Sequence, residues 1–285
     1  MRSPKRRPRR VSLRSRSGDS SILSVIHRIQ ERDVRILFDL HEHRVLTTNQ
    51  IVELQFPSYH VGWRRLRVLD QLGFIRHFQP PRQYGSAPYH FVLDEAGAFL
   101  VAVRLDTDLK GIGYRPDDAV RIARSQTRDH LVAANGFFTR LAWACRRHGQ
   151  ATVVEWLGER RARQGWGVRI EPDGVGSVSD GRAQVRFFFE LDRGTETHRQ
   201  LRAKLERYSE VALLPDVPHV LLFVFPSARR ELEARKSLYA TSVTIATTTM
   251  EGAMSDPLGP LWWPLRHPYR LPLLELPSGA SCGVA

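Results

Sequence analysis

Arg169-Ile-Glu-Pro-Asp173-Gly174 and Phe187-Phe-Phe-Glu190-Leu-Asp192-Arg-Gly-Thr-Glu196 lie in one stretch, residues 169–208, from which the rest of the chain can be read outward. Strand side chains alternate between faces, so Phe187, Phe189 and Leu191 share one side while Phe188, Glu190 and Asp192 share the other. Two carboxylates thereby stand side by side at the end of an apolar strand. Asp173 follows a proline and precedes Gly174, the composition of a strand end running into a hairpin, and pairing of the two strands brings a third carboxylate alongside. Oxygen-only clusters suit Mg2+ or Mn2+, which makes Asp173, Glu190 and Asp192 the candidate metal ligands. A salt-bridged surface cluster is the competing reading, but three carboxylates beside phenylalanines on adjacent strands are harder to explain that way.

Around this stretch the pattern is that of an α+β domain over residues 129–275. Asp129 to Arg147 carries Leu131, Val132, Phe138, Leu141, Trp143 and Ala144 in a largely apolar helix ended by His148-Gly149. Strands are expected at Ala151 to Leu157, Val168 to Pro172, Val185 to Leu191, Val220 to Phe225 and near Val243 to Thr247, and helices at Glu196 to Ala212 and Ala228 to Tyr239. The order is αβββαβ. The ending, Leu261-Trp262-Trp263-Pro264 and Pro268 to Pro277, is aromatic and proline-rich and reads as cover for a sheet edge, with residues 276–285 as a loose tail.

Residues 21–104 read as a winged helix-turn-helix. Ile22, Val25, Ile26, Ile29, Val34, Leu37, Phe38 and Leu40 recur at helical spacing, with a break near Gln30 to Asp33. Thr47-Thr48-Asn49-Gln50 is a capping box opening a short helix, and Ser58 can cap a third, Tyr59 to Leu72. There Leu66, Leu69 and Leu72 face inward, whereas His60, Arg64, Arg67 and Gln71 fall largely on the other side. Gly73 stops it; strands at Phe74 to Phe78 and Tyr89 to Leu93 flank a basic loop. In such folds the last helix enters the major groove. His60, Arg64, Arg65 and Arg67, with Arg82 on the wing, are therefore the candidate DNA contacts, and a solvated arginine face is the alternative. His41-Glu42-His43 sits at a helix end, where the dipole favours cations, and needs no metal to explain it. Residues 105–128 are polar and read as a linker, with some helix after Asp117.

The whole chain has 285 residues, 42% of them hydrophobic, enough for two ordinary domains. Its net charge is +13, and the first seventeen residues hold eight positives and no acid, leaving +5 elsewhere. Residues 1–20 are too polar and too rich in Pro, Ser and Arg to bury a core, so a disordered basic tail is expected, with phosphate backbone as its partner. No apolar run follows the basic start and none is long enough to span a bilayer, which points to a cytoplasmic protein without a membrane partner. Two cysteines, Cys145 and Cys282, exclude a disulfide framework or a cysteine zinc site within one chain and read as free thiols.

The αβββαβ order with Pro-Asp on the second strand resembles the restriction-endonuclease-like core. The wing together with Glu171-Pro-Asp-Gly174, Phe188-Phe-Glu-Leu-Asp-Arg-Gly-Thr195 and Lys204-Leu-Glu-Arg-Tyr208 is similar to the replication-relaxation family of mobile-element proteins over nearly the whole chain outside both tails. That family includes conjugative relaxases of the MOBC class, which pair a winged helix with a PD-(D/E)xK-like core. The resemblance implies Asp173, Glu190 and Asp192 as acidic core residues and Lys204 and Tyr208 on the following helix, with His130 and Asn135 on the preceding one. It departs from the general nuclease signature where the third-strand lysine is replaced by Asp192, so the motif is Glu-x-Asp. Lys204 can supply the missing charge; alternatively, the site is degenerate.

These readings lead to a metal-dependent nickase or relaxase-like protein of plasmid or integrative-element replication or conjugative transfer. The carboxylates would hold Mg2+ or Mn2+, and Lys204 would steady charge on the phosphate. Glu155 or Glu159 is a further candidate ligand or base. Tyr208 lies on the stripe Leu201, Leu205, Tyr208 and reads as a supporting residue rather than a nucleophile, as does His130. DNA, duplex at the winged helix and single-stranded at the core, and other transfer or replication proteins are the expected partners. A non-catalytic DNA-binding accessory protein and an intracellular regulator with other acidic partners are the competing functions.

Overall fold

The computed structural model describes residues 26–81, 85–166, 169–239 and 241–277, and the chain divides into two units, Met1–Arg128 and Asp129–Ala285. The basic tail over 1–20, Arg82, Val168, Cys282 and residues 278–285 lie outside the described residues.

In the first unit local signals set most boundaries. A 3-10 turn at Ile26–Arg28 precedes α1 (Glu31–His43), so the expected break near Gln30 falls at the helix start. After β1 (Leu46–Thr47) the capping box forms as read: Thr47 Oγ1 accepts from the Gln50 backbone N–H at 3.3 Å, and Gln50 Oε1 accepts from the Thr47 N–H at 2.8 Å. It opens α2 (Thr48–Gln55). Ser58 stands at the start of α3 (Tyr59–Gln71), but its side chain makes no capping hydrogen bond. Gly73, at φ +79°, turns the chain into β2 (Ile75–Phe78), and β3 (His90–Leu93) returns antiparallel to it and to β1. The elements of the first unit thus begin in the order helix, strand, helix, helix, strand, strand.

One expectation is corrected after α4 (Glu95–Arg104). Residues 105–128 were expected as a linker with some helix after Asp117; that helix is α5 (Asp118–Arg124), yet Ile112, Ala119 and Ile122 are buried, and α5 packs against β2 and β3. The polar composition conceals three apolar residues spaced to anchor the segment.

The second unit is built on a six-stranded sheet in the order β4-β5-β6-β7-β8-β9. Its strands are β4 (Thr152–Gly158), β5 (Gly174–Ser179), β6 (Gln184–Leu191), β7 (Val220–Phe225), β8 (Thr244–Thr249) and β9 (Trp263–Pro264). The first three pair antiparallel, β6 to β8 run parallel, and β9 closes antiparallel. Helix α6 (Arg128–His148) covers one face, where Phe137 stacks on Phe189 at 4.4 Å between centroids and also meets Trp262 edge-on. The other face carries α7 (Glu159–Trp166), α8 (His198–Val211) and α9 (Ala228–Arg235), whose Ala162, Leu201, Leu205, Tyr208 and Ala234 pack on Val175, Phe188, Leu221 and Phe223. A further short helix, α10 (Met250–Ser255), adds Ala253 to the first face. The αβββαβ order therefore holds, with α7 inserted between the first two strands.

The second strand is displaced from its expected place at Val168 to Pro172. Residues 169–173 are irregular and β5 begins at Gly174, so Asp173 stands at a strand entrance rather than a strand exit. Pro172 cannot donate to a ladder, and the small residues Gly174, Gly176 and Ser177 lack the bulk by which strands are usually recognised. Bulk is missing because neighbours occupy its place: a Cβ at Gly176 would meet Phe187 Cζ at 2.4 Å and Phe138 Cε1 at 2.8 Å. Gly176→Ala is therefore expected to destabilise the unit by about 1–3 kcal/mol, read as a lowered urea midpoint with an unchanged slope.

Candidate active site

The C-terminal end of β6 and the entrance of β5 lie side by side, because Gly174 pairs with Phe189 and the Asp173 N–H donates to the Phe189 carbonyl at 3.0 Å. Asp173 is held from two directions. Its Oδ2 accepts from the Leu191 backbone N–H at 2.8 Å, and its Oδ1 lies 2.7 Å from His130 Nε2 near the start of α6. The hydrogen bond to Asp173 raises the proton affinity of His130 against the opposing effect of burial. The other ring nitrogen, Nδ1, is buried without a hydrogen-bond partner.

Glu190 is 3% exposed, and alternation along β6 turns it with Phe188 toward α8. Both of its oxygens are engaged there: Tyr208 donates its hydroxyl to Oε1 at 2.5 Å, and Lys204 Nζ donates to Oε2 at 2.8 Å. Helical spacing places Lys204 and Tyr208 four residues apart on one side of α8. Burial drives the Glu190 pKa up to about 7, partly offset by the charge of Lys204 and reinforced by that of Asp173. Burial opposes the charge on Lys204, yet Glu190 and Glu196 together raise its pKa above the ordinary value. Tyr208 is pushed well above its usual pKa, first by burial and then by Glu190, and its ring packs on Phe188. That favours a neutral hydroxyl holding the carboxylate over an ionised nucleophile.

Asp192 departs from the expected ligand trio. It shares the Glu190 face of the strand, but Arg230 Nε donates to its Oδ2 at 2.6 Å and the Gly194 N–H donates to Oδ1 at 2.6 Å. Among the described residues no three His, Cys, Asp or Glu side chains gather as a metal-holding group. The physical reason is that a completely buried carboxylate needs a counter-charge, and Arg230, distant in sequence, supplies one. Glu155 is likewise diverted, its Oε2 accepting from Arg186 Nε at 2.9 Å. Glu159 contributes to the field at His130 and lies 3.9 Å from Arg163; Arg193 is exposed and acts on His130 with the opposite sign.

Glu196 and Arg230 were not visible as site residues in the sequence. Glu196 Oε1 accepts from Lys204 Nζ at 2.7 Å, and its carbonyl accepts from Arg230 Nη2 at 2.6 Å. Glu196 lies inside the stretch quoted at the outset, but only the path of the following turn brings it to Lys204.

The donor set that remains, Asp173 and Glu190, suits a hard cation. Mg2+ is commonly bound by one or two carboxylates with water and substrate phosphate completing its shell, so two acidic residues suffice.

In the first unit, His60, Arg64 and Arg67 form an exposed stripe along α3. Arg65 does not join it. Its guanidinium pairs through Nε (2.9 Å) and Nη2 with Asp33, which is fully buried, and Nη2 also donates to the Arg28 carbonyl at 2.7 Å. The rotation of roughly 100° per helical residue separates the two roles: Arg64 and Arg67 are exposed while Arg65 reaches Asp33 on α1. Arg82 lies outside the described residues.

The family model described as Replication-relaxation matches residues 37–216, a span running across both units. No curated protein matches the chain. Among solved structures, the restriction endonuclease FokI is similar at 13% identity over 82% of this chain and 42% of FokI, with a TM-score of 0.31. FokI bound to DNA gives 14% identity over 85% and 45%, with a TM-score of 0.28. The chain thus spans less than half the length of these FokI chains.

A carboxyl with a raised folded-state pKa stabilises the fold below its unfolded pKa, and that contribution disappears as pH rises through the folded value. From about 4.5 to about 7, wild-type stability is therefore expected to fall relative to Glu190→Gln, by on the order of 1–3 kcal/mol, and then to level off. Urea denaturation of both proteins across this range checks it; a pH-independent difference contradicts the buried-carboxyl account.

Proposed function

Because the chain belongs to the replication-relaxation family, we propose that it is a DNA-processing protein of a plasmid or integrative element, nicking DNA in replication or conjugative transfer. The observation that carries this reading is the ammonium of Lys204 set 2.8 Å from Glu190 Oε2, with Glu190 beside Asp173. Two carboxylates and a lysine at the mouth of a mixed sheet are the parts that phosphodiester hydrolysis needs.

In this reading Asp173 and Glu190 would hold a Mg2+ or Mn2+ ion. When bound, the ion supplies Lewis-acid polarisation of the scissile phosphate and a more acidic water. The chain's own groups do the rest. Lys204 gives a fixed positive charge to the developing phosphorane oxygens. Tyr208 keeps its proton and orients Glu190 through Oε1. His130 orients Asp173 through Oδ1, while the Leu191 N–H holds the other oxygen. Asp192 is the anchor of Arg230.

The first unit brings the core to duplex DNA. His60, Arg64 and Arg67 on α3 present donors to the major groove and its phosphates, and the basic tail adds phosphate contacts. Arg65 secures α3 to α1. Other replication or transfer proteins are expected beside it on the DNA.

A second reading, a non-catalytic DNA-binding accessory protein, is favoured by one observation: Asp173, Glu190 and Asp192 each already face a cationic or ionisable partner, His130, Lys204 and Arg230. Supercoiled and single-stranded origin DNA incubated with Mg2+ or Mn2+ separates the two. Nicking by wild type that drops at least a hundredfold in Asp173→Ala and Lys204→Ala supports the enzyme, whereas no cleavage by wild type leaves the accessory role. Arg64→Ala combined with Arg67→Ala is expected to weaken duplex binding about tenfold or more and to flatten its salt dependence by roughly one to two counterions. Unchanged binding removes α3 as the DNA-contacting helix.

A further inference from the structure

We infer that Arg230 is a positioning residue for Lys204, acting through the turn that carries Glu196. The inference rests on the reading of Asp173, Glu190 and Lys204 as the reacting centre.

One guanidinium joins two separate pieces of backbone. Its Nε donates to Asp192 Oδ2 and its Nη2 to the Glu196 carbonyl, both at 2.6 Å. Asp192 in turn closes the turn between these points, since its Oδ1 accepts from the Gly194 N–H at 2.6 Å and Gly194 takes a left-handed φ of +79°. Arg193 to Glu196 is thus folded around Asp192 and clamped by Arg230. The Asp192 side chain has no exposed surface, and Arg230 comes from α9, itself fixed by the Ser227 cap.

The clamped turn determines two things about Lys204. Glu196 at its end receives the ammonium at 2.7 Å and Glu190 receives it at 2.8 Å, so Nζ is held by two carboxylates. The next residue, Thr197, caps α8 and so sets where the helix bearing Lys204 begins. A lysine on a four-carbon stem has many rotamers, and two acceptors carried by different segments restrict the position of its charge. The lysine expected on β6 is thereby moved to α8, and the aspartate left at its strand position anchors the device that holds it in its new place.

The geometry demands an arginine. Two N–H groups of a rigid planar fork reach two acceptors on different segments, whereas a lysine at 230 offers a single point charge. Arg230→Lys is accordingly expected to retain the Asp192 ion pair and a near-normal melting temperature while losing the bond to the Glu196 carbonyl.

The test uses full-length protein and two readouts. Brief acetic anhydride labelling followed by mass spectrometry gives the acetylation rate of Lys204, with exposed Lys236 as internal control. Arg230→Gln, Arg230→Lys and Glu196→Gln are each expected to raise the Lys204 rate at least threefold, leaving Lys236 unchanged. In nicking assays the same variants are expected to lose kcat about tenfold or more at unchanged KM for DNA. The inference is overturned if folded Arg230→Lys labels Lys204 at the wild-type rate while Glu196→Gln, which removes a direct partner of the ammonium, raises it, or if both label at the wild-type rate. Should Arg230→Gln fail to fold, those two variants still decide it. If wild type nicks no DNA, the reacting-centre reading falls, and labelling alone decides whether Arg230 positions Lys204.

Discussion

A carboxylate buried within the sheet is the constraint on which the second unit turns. Glu190 follows three phenylalanines on β6, a strand covered by helices on both faces. An ionised group there loses its water, and the loss must be offset by charge and hydrogen bonds. Tyr208 and Lys204 provide both from α8, one for each oxygen. The same stripe of α8 that packs Leu201, Leu205 and Tyr208 onto the sheet therefore has to present a cation at one point. Packing and electrostatics consequently specify one register of α8 on β6.

The neighbouring acids obey the same rule with different partners. Asp173 takes His130 and a backbone N–H; Asp192 takes Arg230 and a backbone N–H. What reads in one dimension as a trio of like charges is in three dimensions three acids, each with a basic partner from its own helix. This distributes the cost of burial over three helices, α6, α8 and α9. In the first unit Asp33 imposes the same demand on α3 and engages Arg65, so that three of the four basic residues named on that helix remain outward.

Much of this was legible in the amino-acid order. Alternation along β6 put Glu190 with Phe188, the stripe Leu201, Leu205, Tyr208 faced the sheet, Thr47 and Gln50 opened α2, and Gly73 ended α3. Each is a local rule acting over two to seven residues, and backbone geometry enforces it wherever the element forms. The displaced β5 shows the limit of such rules: Gly174 and Gly176 carry no strand signal of their own because Phe138 and Phe187 fill their space.

Partners were another matter. Arg230 lies 38 residues from Asp192, Lys204 lies 14 from Glu190, and Arg65 lies 32 from Asp33. Which cation reaches which carboxylate depends on strand order, on the hand of the crossover between β6 and β7, and on where a turn such as Arg193 to Glu196 leads. The sequence by itself determined the strongly periodic elements, such as β6 and α8, their buried faces and the residue types of the site, since these follow from short-range periodicity. Only the tertiary structure decided that Asp192 anchors an arginine while Lys204 serves Glu190, because buried charges choose among partners by distance, and those distances exist only once the sheet is assembled.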